Sequence, residues 1–459
     1  MAGLLNRRQL LAGSAAPALA QTAPSSPRSV LLLVSDDQSM IAGCYGNPVV
    51  RTPNLDRLAA RGVRFTHSFC TTASCSASRS VILTGLQNHA NGQFGHAHDF
   101  HNFHTHEWVH SIPRLAKARG AVTGVVGKLH VNPPLVYPWD FEPKVNQRDV
   151  WSMAQQAAAF FKTAGGRPFY LHVGYSDPHR AGRGFGNEKP FPNVRPHKYA
   201  PGDVTVPSFL PDRPEVRQEL AEYYQAIDRL DQGIGFMLEE LEKSGRAKDT
   251  LVMFLSDNGM PFPGAKASFY DSGMRVPLIV HRPGMGAGAV NQALVHWPDI
   301  APTVADWMGL KPPAYGFQGR SLLPVLEQSS PAGWDEIFFS HTFHEINNYY
   351  PNRGIRTRRH KYVKFLFPEL EMPLPSDLFA SPTWQVSRKL ERMGVRRTQA
   401  VMRHAAEELY DLEKDPNETT SIAAQQPGLL ADLRAKVLRF RRETKDPWLI
   451  VDEQRGEAS

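Results

Sequence analysis

Cys75 opens the run C-S-A-S-R-S-V-I-L-T-G, with Arg79 four residues on and Thr84-Gly85 at its end. The spacing predicts a short helix from Ser78 to Leu86, which puts Cys75 at or just before a helix N-terminus. Free backbone N–H groups and the helix dipole favour an anion there. Arg79, one turn along, can reach back to the same spot with a permanent positive charge. The pair reads as a reactive thiol beside an anion cradle. Its plainer alternative is a buried cysteine on a strand-to-helix connection.

A nucleophile needs partners, and five further places along the chain carry them. Asp36 and Asp37 follow the apolar run S-V-L-L-L-V, and Asp257 and Asn258 follow T-L-V-M-F-L. Adjacent carboxylates at the end of a buried strand are costly unless something cationic faces them; a helix N-cap accounts for one more readily than for both. These are hard oxygen ligands without thiolate or imidazole, which suits Ca²⁺ or Mg²⁺ and disfavours zinc. Lys128 and His130 close the strand A-V-T-G-V-V-G. Two apart on an extended chain, they face one side, either into a pocket or out to solvent. Asp177 and His179 stand at the exit of P-F-Y-L-H-V-G-Y, and Lys266 follows a bend at Pro261 and Pro263. Arg79, Lys128 and Lys266 offer donors to negative charge, and His130 and His179 can move protons near neutral pH. A divalent cation held by the carboxylates would polarise an anionic ester. The set describes an anion-transfer hydrolase.

Seven of the 18 histidines fall between His89 and His110, the others in that stretch being His96, His98, His101, His104 and His106. Such density is compatible with transition-metal binding. No carboxylate-rich or cysteine-paired spacing accompanies it, so it reads rather as a polar loop rimming the site.

Elements that could position these residues alternate along the chain. Buried strands are predicted at Ser29–Val34, Val63–Phe69, Ala121–Gly127, about Pro168–Tyr175, Thr250–Leu255 and Pro277–His281. Helices are predicted after Thr52 (as N-cap, with Pro53 at the first helical position), at Ser111–Arg119, Glu215–Lys243 and Trp297–Leu310. Asp231 lies on the apolar stripe of the long helix and reads as a buried structural residue. Such alternation implies an α/β fold, a mostly parallel doubly wound sheet with helices on both faces. Ligands there bind beyond the carboxyl ends of the strands, where the titratable pairs all stand. Beyond about Asp335, short β-type runs and a helix at Gly428–Arg442 indicate a smaller C-terminal domain with an antiparallel sheet. The expected bounds are 1–27 for an export signal and spacer, 28–335 for the catalytic domain and 336–459 for the smaller one.

The 459 residues, 41% hydrophobic, suffice for a large core, and the net charge of +7 mildly favours acidic partners. No lysine or arginine run resembles a nucleic-acid patch, and no apolar stretch is long enough to span a membrane. Arg7-Arg8, the small apolar run to Ala20 and the A-L-A at Ala18–Ala20 resemble a twin-arginine export signal, implying a bacterial periplasmic or secreted protein. The three cysteines, Cys44, Cys70 and Cys75, leave an odd count; a Cys70–Cys75 bridge would consume the candidate nucleophile.

C-x-A-x-R followed by four residues and T-G resembles the signature of the type I sulfatases, although Ala77 stands where that family more often has proline. The resemblance implies oxidation of Cys75 to formylglycine by a generating enzyme, and a calcium ion held by Asp36, Asp37, Asp257, Asn258 and position 75. It implies that Arg79 and Lys128 hold the nucleophile, that Lys266 holds sulfate, and that His179 and His130 move protons. G-K-L-H-V, D-P-H-R, S-D-N-G-M-P-F-P, M-P-L-P-S-D-L-F and F-H-E-I-N-N-Y-Y-P-N-R-G-I-R bring the chain nearest to the heparan N-sulfatases (sulfamidases). That family implies hydrolysis of N-sulfoglucosamine in heparin-type glycosaminoglycan fragments. Asp177, His344 and Glu345 become substrate-binding candidates; the alternative for the last two is that they are polar side chains facing solvent from the smaller domain. A homodimer is compatible with it. O-sulfatases, phosphonate or phosphodiester hydrolases, and a non-catalytic glycan binder with intact Cys75 are the rival readings.

Overall fold

The computed structural model describes residues 28–286 and 288–456; the export segment inferred over 1–27 lies outside the described residues. Its larger sheet contains β1 (Ser29–Ser35), β2 (Val63–Phe69), β3 (Val122–Gly127), β4 (Phe169–Gly174), β5 (Thr250–Ser256), β6 (Leu278–His281) and β7 (Ala289–His296). Their order is β3-β4-β1-β5-β6-β2-β7. Every neighbouring pair is parallel except those that β6 makes with β5 and β2.

The central strands β1 and β5 are almost wholly apolar and fully buried because both sheet faces are covered there. Side chains alternate along β1, so Val30, Leu32 and Val34 enter one core while Leu31 and Leu33 enter another. The first core takes Val81, Ile82 and Leu83 of the helix Cys75–Thr84 and Ile300, Ala301 and Val304 of the helix Ile300–Met308. The second takes Val150, Met153, Ala157 and Phe160 of the helix Val150–Ala164, and Leu230, Ile234 and Met237 of the long helix Pro214–Lys243. This is the doubly wound α/β architecture the alternation predicts.

One local expectation is corrected. The helix at Pro53–Arg61 is not capped by the Thr52 side chain. Asp231 instead reaches across from the long helix and accepts from the backbone N–H groups of Asn54 (3.1 Å) and Leu55 (2.8 Å). A carboxylate from another element satisfies these orphan donors, which one-dimensional capping rules do not show. The question of a disulfide, left open by the odd cysteine count, resolves to none among the described residues: Cys44, Cys70 and Cys75 are all free.

The second sheet is antiparallel, with order β13-β10-β9-β8: β8 (Glu336–Phe343), β9 (Tyr349–Thr357), β10 (His360–Phe365) and, past a two-residue pair β11 (Arg392–Met393) and β12 (Arg396–Arg397), β13 (Glu407–Asp411). The helix Pro427–Glu443 covers it through Leu433 and Val437 against Ile355, Tyr362 and Leu409. β8 lies directly behind the segment leading into Cys75. Ser340 N–H donates to Thr71 O (2.9 Å), and Thr72 Oγ1 is 2.9 Å from His341 Nδ1. The smaller sheet therefore packs against the segment that enters the Cys75 helix.

Candidate active site

Strand register does most of the assembly. Ser35 of β1 pairs with Ser256 of β5, so the next residues, Asp36-Asp37 and Asp257-Asn258, leave the sheet side by side. Gly127 of β3 pairs with Gly174 of β4, which brings Lys128 and the Asp177–His179 turn to the same edge. Glycine is required at both positions. A Cβ on Gly174 would stand 1.9 Å from Lys128 O, and one on Gly127 (φ +88°) 2.2 Å from Gly174 O.

The nucleophile helix begins at Cys75, three residues earlier than periodicity predicts, so the cysteine occupies its first turn. Cys75 is fully buried, its Sγ 3.6 Å from Asp37 Oδ1. Arg79, also fully buried, donates from Nε to Asp257 Oδ2 (2.8 Å) and from a terminal nitrogen to Lys128 O (3.2 Å); its other terminal nitrogen lies 3.7 Å from Asp36 Oδ1. Lys128 Nζ donates to Asp36 Oδ2. Lys266 Nζ donates to Asp37 Oδ2 (2.9 Å) and to Asp377 Oδ2 (3.0 Å), and is 3.0 Å from His179 Nε2. Asn258 Nδ2 donates to Asp37 Oδ1 (2.7 Å), while Asp257 Oδ1 accepts from the backbone N–H groups of Asp37 (3.0 Å) and Asn258 (2.8 Å).

The charges decide protonation. Burial and then the carboxylates of Asp37 and Asp36 push the Cys75 thiol well above its usual range. Unmodified, it is a protonated thiol and a poor nucleophile. Burial opposes ionisation of Asp36, but Lys128, His179 and Arg79 outweigh it and hold the carboxyl well below the usual range. Asp257 is raised, by burial first and by the like charges of Asp36 and Asp37, with Arg79 opposing. Burial would lower Lys266, yet Asp37 and Asp377 keep its ammonium firmly protonated.

The donor set fits a hard divalent cation. Asp36 Oδ1 and Asn258 Oδ1 are buried acceptors with no hydrogen-bond donor, and one ligand atom each from Asp36, Cys75 and Asp257 lie within 4.8 Å of one another. Asp37 is held in the left-handed region (φ +63°), a conformation uncommon for a residue other than glycine and frequent at functional sites.

A cavity of about 400 Å³ opens onto this cluster, lined among others by Asp36, Lys128, His130, His179, Lys266, His344 and Glu345. Lys128 and His130 share it, although not through strand alternation: β3 ends at Gly127 and His130 sits at φ +62°, so a turn brings the two side chains together. His344 is buried, with Nδ1 3.0 Å from Ser74 Oγ, and Glu345 accepts from the backbone N–H (3.3 Å) and hydroxyl of Ser376. Asp177 departs from expectation. It is fully buried, receives Arg229 through two bonds (2.6 and 2.7 Å) and pairs with Arg148, and it does not line the cavity. Two guanidinium groups occupy its oxygens, so none is left for substrate. Arg148 also donates to the carbonyl oxygens of His179 (2.9 Å) and Arg180 (3.1 Å), so this cluster positions the His179 turn.

Sequence reasoning missed Asp377, Arg148 and Ser376. Asp377 lies in the quoted M-P-L-P-S-D run, whose type offers a carboxylate but whose spacing says nothing of Lys266, 111 residues away. Arg148 carries no local signal.

Strand-end carboxylates beside a buried cysteine and arginine, on this sheet, define a sulfatase. The sulfatase family model matches residues 28–134 and 135–310, and the chain belongs to that family. A second model, the C-terminal region of N-sulphoglucosamine sulphohydrolase, matches residues 265–382. The chain is 36% identical to human N-sulphoglucosamine sulphohydrolase, over 93% of this chain and 92% of the relative. It is 29% identical to an ulvan-active sulfatase of Formosa agariphila, over 88% and 77%. Among solved structures, one bound to D-glucosamine-2-N,6-O-disulfate aligns with a TM-score of 0.67 at 21% identity, covering 92% of this chain and 99% of that one. The phosphonate monoester hydrolase of Agrobacterium radiobacter aligns with a TM-score of 0.68 at 20% identity, over 91% and 96%. At such identities these two speak for the fold alone.

Proposed function

We propose that this enzyme is a formylglycine- and divalent-cation-dependent sulfohydrolase that releases sulfate from N-sulfoglucosamine of heparin-type saccharides. One observation supports the specificity: His344 and Glu345, in the turn that follows β8, line the sulfatase cavity. They come from the region that matches the N-sulphoglucosamine sulphohydrolase model.

The reaction breaks the N–S bond; water supplies the fourth oxygen of sulfate and the amine takes up a proton. Asp36, Asp37, Asp257, Asn258 and position 75 would hold the cation, Ca²⁺ by family or Mg²⁺, which when bound neutralises the carboxylates and polarises a sulfate oxygen. Cys75 converted to formylglycine would supply a hydrated aldehyde as the nucleophile, chemistry the protonated thiol cannot offer. Arg79 and Lys128, anchored on Asp257 and Asp36, hold position 75 and oppose charge that builds there. Lys266 presents a fixed ammonium to sulfate oxygens.

His179 is oriented for proton delivery. Its Nδ1 is 2.5 Å from Arg180 O and so carries the hydrogen, which leaves Nε2 facing Lys266 and the cluster. Only as the imidazolium, with Nε2 protonated as well, can it act as the acid: it hands that second proton to the departing nitrogen and returns to the neutral Nδ1–H ring. His130 takes a proton from position 75 as sulfate leaves; burial and the charge of Lys128 keep this imidazole neutral and able to accept one. Glu345 meets the nitrogen-bearing end of the sugar. Asp177 acts through Arg148 on His179 and is a positioning residue.

The test is product NMR with N-sulfoglucosamine and, separately, 6-O-sulfated glucosamine, on protein co-expressed with a formylglycine-generating enzyme and checked by peptide mass. A free amine from the N-sulfated sugar alone is expected. Turnover of only the O-sulfated sugar would overturn the specificity, and phosphonate cleavage without sulfate release would overturn the reaction class.

A further inference from the structure

The histidine-rich loop brings two of its members against the site. Ring nitrogens of His96, His98 and His130 all lie within 4.8 Å of one another along the cavity wall, with no carboxylate among them. We propose that these three histidines form a second metal site, selective for a borderline transition ion such as Zn²⁺, and that its occupation inhibits the enzyme. Inhibition rests on the proton-accepting role proposed for His130; the binding site itself does not.

The donor chemistry separates this site from the carboxylate cluster. Imidazole nitrogen suits Zn²⁺, Ni²⁺ and Cu²⁺, whereas the hard oxygen set beside it suits Ca²⁺ or Mg²⁺. The spacing also fits. Zn–N bonds of about 2.0–2.1 Å in tetrahedral geometry set N···N separations of about 3.3 Å. His96 Nδ1 and His130 Nε2 are 3.4 Å apart. His98 Nδ1 stands 2.5 Å from the same His130 Nε2, so it must withdraw by about 0.8 Å to meet tetrahedral spacing. Its side chain is 46% exposed, on a loop rather than a helix or strand.

Outer partners orient two of the ligands. His98 Nε2 lies 3.8 Å from Asp99 Oδ2, beyond hydrogen-bond reach, so this carboxylate favours hydrogen on Nε2, and a lone pair on Nδ1, through its charge alone. His96 Nε2 is 2.9 Å from His344 Nε2, and His344 Nδ1 is 3.0 Å from Ser74 Oγ. When His96 donates along this chain, its Nδ1 also becomes a free donor to metal. Burial holds all three rings below the usual histidine range, and Lys266 adds to the effect at His96 as Lys128 does at His130. They are neutral ligands at neutral pH, and binding need displace few protons. An ion on His130 Nε2 takes up that lone pair and fixes the ring, so proton transfer stops.

The experiment is calorimetric titration of Zn²⁺ into the formylglycine-bearing enzyme in millimolar Ca²⁺, for the parent and for His98→Gln. One saturable Zn²⁺ site is expected, at least tenfold weaker in His98→Gln and unmoved by raising Ca²⁺. Co²⁺ in place of Zn²⁺ should give a visible tetrahedral band that the variant loses. Zn²⁺ should inhibit sulfate release over the same concentrations, with the variant's inhibition constant raised by the same factor. No saturable binding, binding unchanged by His98→Gln, or one-for-one competition with Ca²⁺ would overturn the site. Binding without inhibition would overturn its regulatory role. The calorimetry reads the site whichever sugar the enzyme cleaves.

Discussion

Replacing Asp177 separates positioning from substrate contact. Its carboxylate is fully buried, with the Arg229 and Arg148 side chains 5% and 15% exposed. Removing one partner of a buried ion pair costs about 3–5 kcal/mol, because the other charge stays buried and uncompensated. Here two guanidinium groups lose the carboxylate but keep other acceptors: Arg229 has Phe185 O (3.0 Å) and Asn187 Oδ1 (2.7 Å), and Arg148 has the His179 and Arg180 carbonyls. Asp177→Ala should therefore fall near the lower limit, about 3 kcal/mol, and Asp177→Asn, which retains an acceptor, at about 2 kcal/mol. Denaturant midpoints of metal-loaded protein measure the stability loss. Steady-state kinetics should show kcat falling as the His179 turn slackens, with KM changed less than threefold. A KM raised tenfold or more at unchanged stability would refute the positioning account and return Asp177 to the substrate.

Cys75→Ala should abolish sulfate release and leave the denaturant midpoint within about 1 kcal/mol, since Cys75 makes few packing demands at a helix start; measurable turnover would sink the nucleophile assignment. Chelation should lower both activity and thermal stability. Restoring Ca²⁺ to a hundredfold excess over Kd should return about 2.7 kcal/mol, and Asp257→Asn should lose that response. The acid limb of kcat/KM should lie below pH 6.5. The sign follows from His130: its proton affinity is depressed in the fold, so it stays neutral, and able to accept a proton, to lower pH than a free histidine. Loss of the neutral base above pH 6.5 would contradict that. Glu345→Gln should raise KM for N-sulfoglucosamine by about tenfold, or about 1.4 kcal/mol, with kcat little changed.

The class of chemistry could be read from the chain because its parts are local. Continuous apolar runs mark strands buried on both faces, and a polar pair at the end of each marks the carboxyl edge where such sheets bind ligands. Asp36, Asp37, Asp257, Asn258, Lys128 and His179 are recognisable on that ground, and Cys75 and Arg79 by a helix-turn spacing. What required the folded chain was every relation across the sheet. The Ser35–Ser256 register sets the carboxylates abreast, and nothing within either strand encodes that alignment. Asp177 has the same composition and strand-end context as the ligands, yet Arg148 and Arg229 claim it from 29 and 52 residues away. Asp231 caps a helix 177 residues earlier, and Asp377 steadies Lys266 from 111 residues away. Periodicity reports which face of an element is buried; the identity of the charge waiting there is a property of tertiary packing, because Coulombic partners are chosen by distance in space.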